Sequence, residues 1–188
     1  MQKNNTKFSK KVPKQVIKAY NTAISHYPEL ANSKIKIKCK KMNYTMETWV
    51  DIFFLFKKKK NQVTTIYINN LRGKHKFGDI HKMPQNALIG NIGHELAHAL
   101  QYKKVSKWFM FINIFGYLFI PRIKKEIERD ADLTAIKHGL SKELYESRAY
   151  LVHGNNVSKV FQDKLNNIYL SPSEIKELAK NINAPKRF

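Results

Sequence analysis

The hydrophobic period of this chain changes twice, and that change constrains the fold more than any other feature. Val16, Tyr20 and Ile24 recur at every fourth position after Pro13, with Ile17 beside them, which is the spacing of one helical face. Over 34–40 the period drops to two, as Ile35, Ile37 and Cys39 alternate with four lysines. That pattern predicts a half-buried strand with a basic outer face. The runs 45–56 and 62–69 are β-branched and aromatic and flank the lysine-rich 57–61, which predicts a hairpin with a solvated turn. After Pro84 the period returns to four: Leu88, Ile92 and Leu96 share a face with Ile89, Ala99 and Leu100. A second helix is expected from Pro121 to Gly139, following the Pro-in, Gly-out asymmetry of helix ends. Three shorter ones are expected over about 141–152, 158–169 and 172–182. The last opens with the capping-box pattern Ser171-Pro172-Ser173-Glu174. Helix, then strands, then helices is the order of an α+β domain, here with a small antiparallel sheet. No repeat, low-complexity tract or linker divides the chain, so 1–188 is expected to be one domain.

Thirty-five Lys and Arg against 14 Asp and Glu leave a formal charge of +21. The surplus must sit largely on the surface and favours acidic partners, of which anionic lipid, nucleic acid and acidic substrates are the classes. A hydrophobic fraction of 43% excludes a disordered tail. The single Cys39 excludes an internal disulfide and a Cys-rich metal cage; its place is a small core residue on its strand. The first twenty residues are basic without an apolar run, so no secretory signal is expected and a reducing, cytoplasmic setting is.

Residues 94–98 read His-Glu-Leu-Ala-His. On a helix, His94 and His98 stand one turn apart and can grip one metal ion, with Glu95 beside them to take a proton from water. Gly90, Gly93 and Ala97 leave room for close packing. Two histidines need a third protein ligand to leave one position open, and Glu126, Glu128, Asp130 and Asp132 are the downstream candidates. Glu128 and Asp132 share a helical face, an arrangement that is costly when buried without a cation. Beside a dication it is favourable, with Glu128 as ligand and Asp132 accepting the other N–H of a ligand histidine. The competing reading is a charged outer face paired with Lys124, Lys125 and Arg129.

His94-Glu95-x-x-His98 followed by Glu128-x-x-Ala131-Asp132 resembles the signature of gluzincin zinc metallopeptidases. It is most similar to the membrane-associated group of CAAX prenyl proteases and bacterial heat-shock membrane proteases. The resemblance covers about half the chain and implies a zincin-like fold, the sheet packed on the motif helix with further helices after it. It implies a Zn2+ cofactor on His94, His98 and Glu128, Glu95 as general base, Asp132 orienting a ligand histidine, and a peptide or protein substrate. The chain departs from that group in lacking full transmembrane helices. It also has Leu170-Ser171-Pro172 where the group often has Thr-His-Pro. Arg148, Tyr150 and His153 are then the candidates for steadying the oxyanion, and by analogy with other zincins 62–69 is the candidate edge strand for an extended substrate.

Between the motifs, residues 108–120 contain only Asn113 and Gly116 among apolar side chains. As a helix this run is about 20 Å long, against ~30 Å of hydrocarbon in a bilayer. It is expected either to be buried over the metal helices or to dip into an anionic membrane surface, with Lys103, Lys104, Lys107, Arg122, Lys124 and Lys125 at the headgroups. The second reading makes the chain a peripheral membrane protein. Continuous apolar runs suit a core or lipid better than stacked bases, so nucleic acid is not the expected partner. Two rival functions remain: an inactive domain braced by zinc, and a cationic lipid-binding module. His26, His75, His81 and His138 are assigned no role.

Overall fold

The computed structural model describes residues 5–42, 44–51, 53, 56, 58, 61–69, 79–153 and 159–183. It begins with a parallel crossover. Strand β1 (Thr6–Phe8) leads through helix α1 (Lys14–Ser25) and a short 3-10 turn (Pro28–Leu30) to strand β2 (Lys34–Cys39), and β1 pairs with β2 in parallel. Strands β3 (Met46–Val50) and β4 (Val63–Ile68) follow and pair antiparallel. The sheet order is β1-β2-β4-β3, with β2 and β4 parallel.

The expected α+β class holds, but the sheet is mixed rather than antiparallel. The reason is that β4 inserts between β2 and β3, so chain neighbours β2 and β3 never pair. It follows that 62–69 is an interior strand; among the described residues β3 and β1 are the edges. The expected strand over 45–56 is shorter: it ends at Val50, Asp51 makes a last bond to the Val63 carbonyl at 3.0 Å, and Phe53 and Phe56 lie in turns. Of the expected hairpin turn over 57–61, residues 57, 59 and 60 lie outside the described residues.

The period-two pattern of β2 does what its chemistry requires. Ile35 and Ile37 are buried while Lys34 and Lys38 are exposed. With Ile66 and Ile68 of β4 they form the inner face of the sheet, each fully buried side chain contributing about 1.5–3 kcal/mol. Cys39, at the strand's end, is half-buried and its thiol donates to the Lys11 carbonyl at 3.3 Å.

Helix α2 (Gln85–Lys104) is the axis of the molecule. It has no polar face: every residue from Ala87 to Leu100 is buried, because α1, β3, α4 (Pro121–Lys137) and α5 (Ser141–His153) all pack on it. The contact with α5 is backbone-close. A Cβ on Gly90 would lie 2.0 Å from the Glu143 carbonyl oxygen. Helix α4 is closed off two residues past its end by Gly139, whose φ of +80° is a left-handed conformation open to glycine without steric cost.

The run 108–120 forms helix α3 (Lys107–Phe119), with Ser106 Oγ capping Phe109 N–H at 3.3 Å. No helix among the described residues is long and apolar enough to cross a membrane. Helix α6 (Lys159–Ile168) and helix α7 (Pro172–Asn183) complete the chain. The capping box forms, with Glu174 N–H on Ser171 Oγ and Ser171 N–H on Glu174 Oε2. Arg129 of α4 ties Glu174 to the core.

Candidate metal centre

Helices α2 and α4 pack side by side, and the two motifs meet where they face each other. His94 and His98 project one turn apart from α2, and Glu128 reaches them from α4. His94 Nε2 lies 3.0 Å and His98 Nε2 3.2 Å from Glu128 Oε2, and the two imidazole nitrogens are 3.1 Å apart. One ligand atom from each residue falls within 4.8 Å of the others, all three side chains being buried.

The outer hydrogen bonds decide which way the ring protons point. Asp132, one turn beyond Glu128 and fully buried, faces His94 Nδ1 at 2.7 Å. A carboxylate only accepts, so Nδ1 carries the proton. His98 Nδ1 faces Gln101 Oε1 at 2.9 Å. The Gln101 amide nitrogen donates to the Asp130 carboxylate at 2.7 Å, which identifies the facing atom as the carbonyl oxygen and again puts the proton on Nδ1. With Nδ1 committed outward, each imidazole presents its Nε2 to the same point as Glu128 Oε2, and once those two nitrogens give up their protons three electron-pair donors converge there, a set that suits a cation. Burial opposes charge on His94, yet Asp132 and Glu128 outweigh it and raise the imidazole to about 9. In Glu128 burial is likewise outweighed, by His98 and His94, and its carboxyl is held well below the usual range. The residues thus fit a metal of the type that takes two imidazoles and one carboxylate.

Glu95, next to His94 on α2, faces the same space. It opens onto a cavity of about 590 Å³ lined by His94, His98 and Glu128 together with β3, α3 and α4. Thr48 of β3 donates to Glu95 Oε2 at 2.7 Å. Burial raises the Glu95 carboxyl above its ordinary value, against the opposing pull of His94 and His98.

No family model, curated protein or solved structure matches this chain.

Asp132 is the hub behind His94. Besides the imidazole, its carboxylate accepts from the buried Arg148 guanidinium and from Leu170 N–H at 2.9 Å. Leu170-Ser171-Pro172 therefore closes the back of the centre through its backbone. Arg148, expected as an oxyanion candidate, is committed to Asp132 and lies 4.4 Å over the ring of Tyr169. Tyr150 donates to the Asp79 carbonyl and His153 is exposed at the end of α5. None of the three lines the cavity.

Three tyrosines that line it are absent from the candidates read from sequence. Tyr117 of α3 donates to Glu128 Oε1, Tyr102 donates to the Thr48 carbonyl at 3.2 Å, and the Tyr169 ring meets His94 edge-on. Tyr102 does carry a signal, standing four residues after His98 on the same helix, whereas Tyr117 and Tyr169 arrive from α3 and from just beyond residue 168, which no spacing relative to residues 94–98 marks. His26 and His138 lie apart from the centre, in a cluster with Tyr27, and His75 lies outside the described residues.

Replacing Asp132 with Asn removes the charge that fixes the His94 tautomer. Metal affinity, read by competition with a chromogenic chelator, is expected to fall about 10- to 100-fold. Unchanged affinity would show that His94 is oriented by something else.

Proposed function

We propose that this chain is a zinc-dependent endopeptidase of the gluzincin type, with a zincin-like fold. The observation that supports it most is the convergence of His94 Nε2, His98 Nε2 and Glu128 Oε2 at the floor of a cavity that Glu95 also enters. Two imidazoles and one carboxylate are the ligand set that leaves zinc an open position.

Zinc held by His94, His98 and Glu128 would supply Lewis-acid activation of water and of the peptide carbonyl. The rest falls to the protein. The Glu95 carboxylate accepts the proton of the attacking water and returns it to the nitrogen of the leaving amine. Its raised affinity for a proton, caused by burial, suits a group that must hold one between the two transfers. Thr48 fixes its orientation. Tyr117, whose hydroxyl is already inside the cavity on Glu128, is the phenol best placed to turn toward a developing oxyanion. Asp132 and Arg148 keep His94 in register. An extended substrate would lie along edge strand β3, whose residues Met46, Thr48 and Trp49 line the cavity, in a strand-addition mode.

The direct test is metal content of the purified chain beside Glu128→Ala. About one zinc per wild-type chain, lost or greatly reduced in the variant, is expected. Zinc retained in full by Glu128→Ala would exclude Glu128 as a ligand, and failure of the wild type to take up zinc would end the peptidase reading.

A further inference from the structure

Helix α3 is largely apolar, and among the described residues only one side of it is covered. Its inner residues Met110, Asn113, Ile114 and Tyr117 line the cavity. Its outer residues Trp108, Phe109, Phe111, Ile112, Phe115 and Phe119 are all exposed, Trp108 at 68% and Phe119 at 66%. A continuous apolar face of this kind marks an interaction site. The charge around it says what kind. From 103 to 125 the chain carries six Lys and Arg and no Asp or Glu. Lys104 before the helix and Arg122 and Lys125 after it are exposed. A second copy of the chain would press like charges together at both ends of the contact. Nucleic acid would meet an outer face with no polar side chain to read it.

The geometry points to an anionic phospholipid bilayer as the partner, with α3 lying flat in the interface. Its thirteen residues make about 20 Å of helix, too short to cross. The aromatic side chains enter the acyl boundary while the flanking cations meet the headgroups. Because the inner face of α3 walls the cavity, docking sets that cavity at the lipid surface. The docking rests on α3 alone, so it stands or falls separately from metal binding.

The test is vesicle flotation of the full chain. It should float with vesicles of phosphatidylglycerol and phosphatidylcholine, poorly with phosphatidylcholine alone, and less as salt rises from about 0.1 M to about 1 M. The double variant Phe111→Glu, Phe115→Glu should lose about 100-fold in partitioning while keeping the wild-type circular dichroism spectrum. Undiminished flotation of that folded variant would overturn the proposal. So would a lipid-free dimer split by the same substitutions, which would assign the face to a second copy. A second measurement leaves the outer face intact. With Trp49→Phe, Trp108 is the only tryptophan, and its emission should shift to the blue and be quenched by brominated acyl chains. Absence of quenching in the presence of anionic vesicles would equally overturn the docking.

Discussion

Glu95→Gln should remove peptide hydrolysis and leave the metal in place. The amide keeps the size of the carboxyl and can still meet the Thr48 hydroxyl, but it cannot take a proton from water at neutral pH. Loss of a general base costs about 10²- to 10⁴-fold in rate, so cleavage of unfolded casein by zinc-loaded protein should drop by that order. Metal content should stay that of the wild type, because the ligand atoms belong to His94, His98 and Glu128. This pairing separates the peptidase from a domain merely braced by zinc. A zinc-loaded wild type that cleaves nothing the variant does not cleave would favour the brace. Equal cleavage by both would strip Glu95 of its role. In a purely structural site a buried carboxyl beside the ligands would be a cost without a use.

Gly90→Ala should destabilise the whole domain. In an isolated helix the same change would stabilise by about 1 kcal/mol. Here the added Cβ would sit 2.0 Å from the Glu143 carbonyl oxygen and 2.6 Å from Leu144 N. Both are backbone atoms, so no rotamer change relieves the clash and α2 must move from α5. Overpacking of this kind costs about 1–3 kcal/mol, and a rigid backbone contact belongs at the upper end. For a chain of this size the net loss should lower the melting temperature by on the order of 5 °C or more. The displacement would also reach the centre, since α2 carries the histidines and α5 carries Arg148, so metal affinity should fall with stability. A variant more stable than the wild type would mean that α2 and α5 do not approach so closely.

The parts of the fold that were legible in the sequence are those set by local spacing. Ile35 and Ile37 announced β2 by alternation, Pro84, Pro121 and Pro172 marked helix starts, and Ser171 with Glu174 marked a cap that forms as the pattern requires. Strand β1 was not legible, because three residues are too few for a period to show. The mixed sheet was not legible either, since a hairpin pattern pairs chain neighbours and carries no information that β4 will slide between β2 and β3. The oxyanion candidates on α5 were drawn from proximity in sequence. The structure puts Arg148 behind His94 and Tyr150 on the far side at Asp79.

The centre divides the same way. His94 and His98 share a face because a helix repeats every 3.6 residues, and Glu128 and Asp132 share one for the same reason. Those two pairs follow from the chain alone, wherever the helices end up. That the pairs face each other, that Gln101 and Asp132 hold the outer ring nitrogens, and that Thr48 and Tyr117 enter from β3 and α3 depends on how α2, α3, α4 and the sheet edge pack. Packing also left the outer side of α3 uncovered. Its apolar run would read identically as a core helix, and only the lack of a covering element among the described residues turns one face into a surface.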